Sequence, residues 1–132
     1  MIAPARADDL SSHVLYERPD GLWGRYDGDN TQLCDRGHYE RIDLNGSPCY
    51  VLLRYDQQRT WIKVLQCESS GAVCHVYTIT GQPLREATAI ETIDHIGPHQ
   101  LAICLHVSPR ETLRVTFDLS SGTKTIRRTQ TQ

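Results

Sequence analysis

The chain has 132 residues, enough for one domain with a sizeable core and no need of a covalent staple. A formal charge of -2 argues against a basic nucleic-acid groove, and no apolar run approaches the ~18 residues that a membrane-spanning helix needs. Five cysteines are too few to build the fold, and their odd number leaves at least one thiol unpaired within the chain.

Residues 1–12 read as a flexible N-terminal segment, residues 13–128 as a single β domain, and residues 129–132 as a frayed tail. Ala3, Ala5 and Ala7 precede Asp8 and Asp9 in a small-x-small pattern. It fits a trimmed signal-peptide end or an ordinary polar start, which leaves a periplasmic or secreted location open beside a cytoplasmic one. A first strand is expected at 13–17. Pro19, Asp20 and Gly21 then turn the chain into a second at 22–27. Residues 27–37 read as a short polar loop. Its start resembles an oxygen-ligand calcium loop, but Gln32 stands where the glycine is required and His38 where the final carboxylate is required.

A strand at 38–43 leads through Asn45 and Gly46, a strong hairpin signal, into 48–55, whose apolar residues on both faces mark it as central. Residues 61–67 and 72–79 alternate with period two around a turn at Ser70 and Gly71. That turn sets Ile62 opposite Ile79, Val64 opposite Tyr77, Leu65 opposite Val76, Gln66 opposite His75 and Cys67 opposite Cys74. A short helix is expected only within 2–12 or 84–89, and a further strand at 90–96. From 99 to 128 the pattern is a three-stranded meander: Leu105 meets Leu113, Ile103 meets Val115, Leu101 meets Phe117, and Ser120, Ser121 and Gly122 return Ile126 beside Phe117. The expected fold is all-β, an antiparallel up-and-down barrel of about eight to ten short strands, with a β-sandwich as the alternative.

Gly21-Leu22-Trp23 resembles the Gly-x-Trp that opens the first strand of lipocalin-like (calycin) barrels. In that family the Trp closes the barrel floor beneath an Arg on or after the last strand, where this chain has Arg127 and Arg128. Asp20 and Gly24 depart from the family's pattern. The resemblance implies an internal pocket for a small apolar ligand.

Chemistry-bearing patterns are sparse. Across the expected hairpin, Cys67 and Cys74 fall within disulfide reach, Cys34 and Cys49 form a second candidate pair, and Cys104 stays free. His95, His99, Cys104 and His106 could be grouped as zinc ligands, but without recognisable pairs, so no metal or other cofactor is expected. Cys34 with His38, or Cys104 with His106, supplies nucleophile and base types without an orienting acid, so no catalytic residues are named and an enzyme is not expected. Arginines and tyrosines interleave in the N-terminal half, but neighbouring acids cancel their field, which disfavours nucleic acid and suits a protein partner. The expected function is a non-enzymatic binding module of protein-interaction or inhibitor type. A lipocalin-like carrier of a small apolar ligand is the alternative, and an unclosed sheet edge would permit a homodimer. The candidate binding residues are Trp23, Arg25, Tyr26, Tyr39, Tyr50, Trp61 and Tyr77.

Overall fold

The structure, a computed structural model, describes residues 10–130. Eleven strands make it up: β1 (Val14–Arg18), β2 (Gly21–Tyr26), β3 (Asp29–Asp35), β4 (Tyr39–Leu44), β5 (Ser47–Tyr55), β6 (Thr60–Cys67), β7 (Val73–Ile79), β8 (Ala89–Gly97), β9 (Gln100–Ser108), β10 (Glu111–Asp118) and β11 (Lys124–Gln130). One 3-10 turn, Gln82–Glu86, lies between β7 and β8 and buries Leu84.

The strands form three antiparallel sheets, ordered β1-β2-β3, β4-β5-β6-β7 and β11-β10-β9-β8. None closes on itself, so the expected up-and-down barrel is replaced by a sandwich-like stack. The middle sheet explains why. Val51, Leu53, Ile62 and Val64 on one face pack against Leu101, Ile103, Leu105, Leu113 and Val115 of the C-terminal sheet. On its other face Tyr50, Leu52, Leu65 and Cys67 pack with Leu15 and Leu22 of the N-terminal sheet. The apolar run of β5 is thus covered twice, as a central strand requires.

Turn chemistry sets the hairpins. Asn45 and Gly46 have φ of 53° and 85°, and Asp27 and Gly28 have 53° and 83°. Positive φ at both central positions is what a tight I′ hairpin demands. The second turn makes β3 a strand where the sequence reading expects a loop. Its first four residues, Asp29 to Gln32, are exposed and polar and carry no apolar alternation.

Registers follow expectation where apolar partners meet. Ile62 faces Ile79, Val64 faces Tyr77, Leu65 faces Val76 and Gln66 faces His75. A bulge after Gln66 then sets Cys67 against Val73, not Cys74. In the C-terminal sheet Leu105 faces Leu113, Ile103 faces Val115 and Leu101 faces Phe117. Ile126 faces Val115 and Lys124 takes the place opposite Phe117, because the turn after Asp118 is longer than expected.

Two long-range ties hold the N-terminal sheet in place. Leu15 N–H donates to Gly71 O (2.9 Å) and Val73 N–H to His13 O (2.9 Å), which fasten the start of β1 to the β6–β7 turn. The Tyr39 hydroxyl donates to Glu17 Oε2 (2.8 Å) between the layers. Leu10, three residues before the expected domain start, is fully buried in the same layer, and residues 1–9 of the expected flexible segment lie outside the described residues. Of the expected frayed tail, Thr129 and Gln130 pair with Thr112 and Glu111, while residues 131–132 lie outside the described residues. Among the described residues, no helix is long and apolar enough to cross a membrane.

Candidate functional site

The outer face of the N-terminal sheet is built by alternation along β1 and β2. Leu15 and Leu22 point inward, so Tyr16, Arg18, Trp23 and Arg25 point outward. Tyr16 and Trp23 are directly opposite each other. The Arg18 guanidinium lies 4.5 Å from the Trp23 ring centroid and 5.5 Å from that of Tyr16, a cation–π arrangement over both rings. Each ring is also tethered by its polar end. Trp23 Nε1–H donates to Asp20 Oδ1 (2.8 Å), and the Tyr16 hydroxyl donates to Asn30 Oδ1 (2.7 Å). From the β3–β4 connection, Arg36 donates through Nε to Pro19 O (2.9 Å) and through Nη2 to Arg18 O (3.0 Å), which pins the β1–β2 turn.

Of the residues expected at a binding surface, Trp23 and Arg25 lie on this face. The others do not join them. Tyr39 and Tyr50 are 6% and 3% exposed and form part of the core between the layers, which corrects the expectation that they meet a partner. Tyr26 is half-buried and stacks on the buried His13 at 4.8 Å. Tyr77 packs edge-on against Phe117 and donates to Gln66 Oε1 (3.0 Å). Trp61 stands on the middle sheet beneath the Arg59 guanidinium, 4.8 Å from its centroid. Tyr16 and Arg18 were missed by the sequence reading, although counting back across the Pro19-Asp20 turn would have placed Tyr16 opposite Trp23.

The implied lipocalin-like pairing of Trp23 with a C-terminal arginine is not what the structure holds. Trp23 meets Arg18, while Arg128 is on β11, bound to Glu86 and to Glu111 (2.6 Å).

The five cysteines are all free thiols, so the Cys67–Cys74 disulfide is not formed. The bulge puts Cys67 in the core and leaves Cys74 exposed, its Sγ donating to Gln66 O at 3.3 Å. Burial pushes the thiols of Cys34 and Cys49 up to about 12 and that of Cys67 to about 11. For Cys34 the nearby Arg54 opposes this only in part. Cys34 and His38 share a depression of about 290 Å³ with Asp35 and Arg54, but a thiol held that high is scarcely ionised near neutrality and makes a poor nucleophile. His106 Nδ1 lies 2.9 Å from Glu91 Oε2 and His95 Nε2 lies 3.5 Å from Pro98 O. Among the described residues no three metal-ligating side chains gather. Comparison with protein-family models, with curated proteins and with solved structures finds no match to this chain.

Proposed function

We propose that this protein is a non-enzymatic protein-interaction module that docks its partner on the outer face of the β1-β2-β3 sheet. The observation that carries the reading is the Tyr16–Trp23 pair with the Arg18 guanidinium laid over both rings. Tyrosine, tryptophan and arginine are the residues in which interface hot spots are enriched. Here their hydrogen bonds to Asn30 and Asp20 hold the rings before any partner arrives, which lowers the entropy lost on binding. Arg18 and Arg25 on the same face suit a partner that brings carboxylates to the rim of the aromatic pair.

The carrier alternative finds no comparable support. The space between the middle and C-terminal sheets is filled by Val51, Val64, Leu101, Ile103, Leu105 and Val115, all fully buried.

The test is affinity capture from the protein's own source with three baits: wild type, Trp23→Ala, and Arg127→Ala on a different sheet. A partner held by wild type and Arg127→Ala but lost by Trp23→Ala supports the reading. Capture unchanged by Trp23→Ala, or lost equally with Arg127→Ala, refutes it. Sedimentation of the pure protein separates a second copy of the chain from a foreign partner.

A further inference from the structure

The N-terminal sheet covers only part of the middle sheet. Along the covered face run Tyr50 and Leu52 of β5 and Leu65 of β6. Alternation carries the same face onward to Arg54, Lys63 and Trp61, and these stay half-exposed. The register sets them side by side: Lys63 lies between Leu52 and Thr78, and Arg54 lies opposite Trp61. With Arg59 and Thr80 they line a depression of about 110 Å³.

Its composition is one-sided. Three cations, two hydroxyls and an indole line it, and no carboxylate does. Lys63 Nζ donates to Thr78 Oγ1 (2.7 Å), and Arg59 rests on the Trp61 ring. Arg54 Nη1 is buried without a hydrogen-bond partner, the one such side-chain nitrogen or oxygen among the described residues. A desolvated guanidinium N–H with no acceptor is costly to maintain, and the Arg54 side chain that carries it lines both this depression and the adjoining one. The neighbouring acids are turned to other work. Asp56 Oδ1 accepts from the backbone N–H of Gln58 (2.8 Å) and Arg59 (2.9 Å), with its Oδ2 3.7 Å from Arg59 Nε. Asp35, on the adjoining depression, accepts from Gln32 Nε2 at 3.4 Å.

We infer that the depression bounded by Arg54, Arg59, Trp61 and Lys63 is a binding site for a phosphate group. A tetrahedral, multiply charged oxyanion offers an acceptor to each of the three cations that line the depression from β5, β6 and the connection between them, whereas a planar carboxylate leaves one unserved. The indole supplies an apolar wall for the organic part of a phosphate ester. The inference stands independently of the docking face on β1–β3.

The probes are inorganic phosphate and phenyl phosphate, titrated into the 15N-labelled full chain at ionic strength matched with sodium chloride and followed by NMR. Saturable shifts at the Trp61 indole N–H and the amides of Arg54, Lys63 and Thr78 are expected, with a dissociation constant of about 1 mM. Arg54→Gln and Lys63→Gln are each expected to weaken binding about tenfold. Arg127→Gln removes the same charge from the outer face of the C-terminal sheet, where Arg127 stands opposite Arg114, and is expected to leave binding unchanged. Equal affinity for the two probes assigns the site to free phosphate, and tighter phenyl phosphate binding assigns it to a phosphate ester. Shifts that chloride reproduces, that do not saturate, or that fall with Arg127→Gln as much as with Lys63→Gln overturn the proposal. Lys63 is half-exposed, so its variant keeps the test decisive if Arg54→Gln fails to fold.

Discussion

The hydrogen bond from Tyr39 to Glu17 is the sharpest test of how the N-terminal sheet is held. Tyr39→Phe removes the hydroxyl and keeps the ring that packs beside Tyr50. A hydrogen bond to a charged acceptor contributes about 1.5–3 kcal/mol. The Glu17 side chain is 31% exposed and has Arg41 3.9 Å away, so its carboxylate regains water once the phenol is gone. The lower end of the range applies, about 1.5 kcal/mol. With a urea slope near 2 kcal/mol/M, the unfolding midpoint should fall by about 0.7 M. The double-mutant cycle with Glu17→Ala should return a coupling of about 1 kcal/mol. A midpoint shift under about 0.2 M, or an equal loss in the Glu17→Ala background, would refute the reasoning. Alkaline titration gives a second readout. Burial first, and then the bond to Glu17, push the Tyr39 hydroxyl up to about 12. The folded chain therefore holds this proton where the unfolded chain, with tyrosine near 10, releases it. The stabilisation is complete below about pH 10 and declines between about 10 and 12, and that part of the alkaline loss should vanish in Tyr39→Phe.

Other outcomes follow from single positions. Gly71→Ala should cost more than about 2 kcal/mol in chemical unfolding, because φ is 93° and a Cβ would sit 2.6 Å from Leu15 O; Gly46→Ala, at φ 85° in open space, should cost only about 1 kcal/mol. Ile103→Ala should lower stability by about 2–5 kcal/mol through the cavity it leaves between the sheets. Thiol alkylation of the native protein followed by mass mapping should modify Cys74 first and Cys49 and Cys67 only on unfolding, and fast modification of either buried thiol would contradict their burial. The Asp118 carboxyl is held down at about 2 by hydrogen bonds from the Ser120 hydroxyl and from the backbone N–H groups of Ser121 and Ser120, so its contribution is present above about pH 4 and lost as pH falls toward 2. Asp118→Ala should flatten that limb of the stability–pH curve.

Period-two patterning made most strands and several registers readable, because a slip of one residue would have turned Ile62, Val64 and Leu105 to solvent. It failed where the deciding partner lay far along the chain. The bulge that separates Cys67 from Cys74 sits where the β6–β7 turn is tied to β1, about fifty-five residues upstream, and no local pattern encodes that contact. β3 was missed because its exposed residues carry no alternation, though the Asp27-Gly28 turn was a usable signal. The two-faced apolar run of β5 already implied that Tyr50 is covered; grouping it with the interleaved arginines and tyrosines of a partner surface misplaced it. Closure of a barrel was not legible at all, since it depends on how sheets meet and not on which hairpins form. The phosphate site escaped notice because Arg54, Trp61 and Lys63 become neighbours only through pairing across β5, β6 and β7.

The double coverage of the middle sheet also sets an order of opening. Amides around Tyr50–Leu52 of β5 and Val64–Leu65 of β6 should be among the slowest to exchange with deuterated water, since both faces of the strands are covered there. The N-terminal sheet, held by a small apolar cluster, the β1 backbone ties and the Tyr39–Glu17 bond, can detach as a cooperative unit at lower free energy than the rest. Its departure would bare Tyr50, Leu52 and Leu65 on one flat face, an adhesive surface in a partly open chain. Besides carrying the proposed docking face, these three strands keep Tyr50, Leu52 and Leu65 of the middle sheet covered.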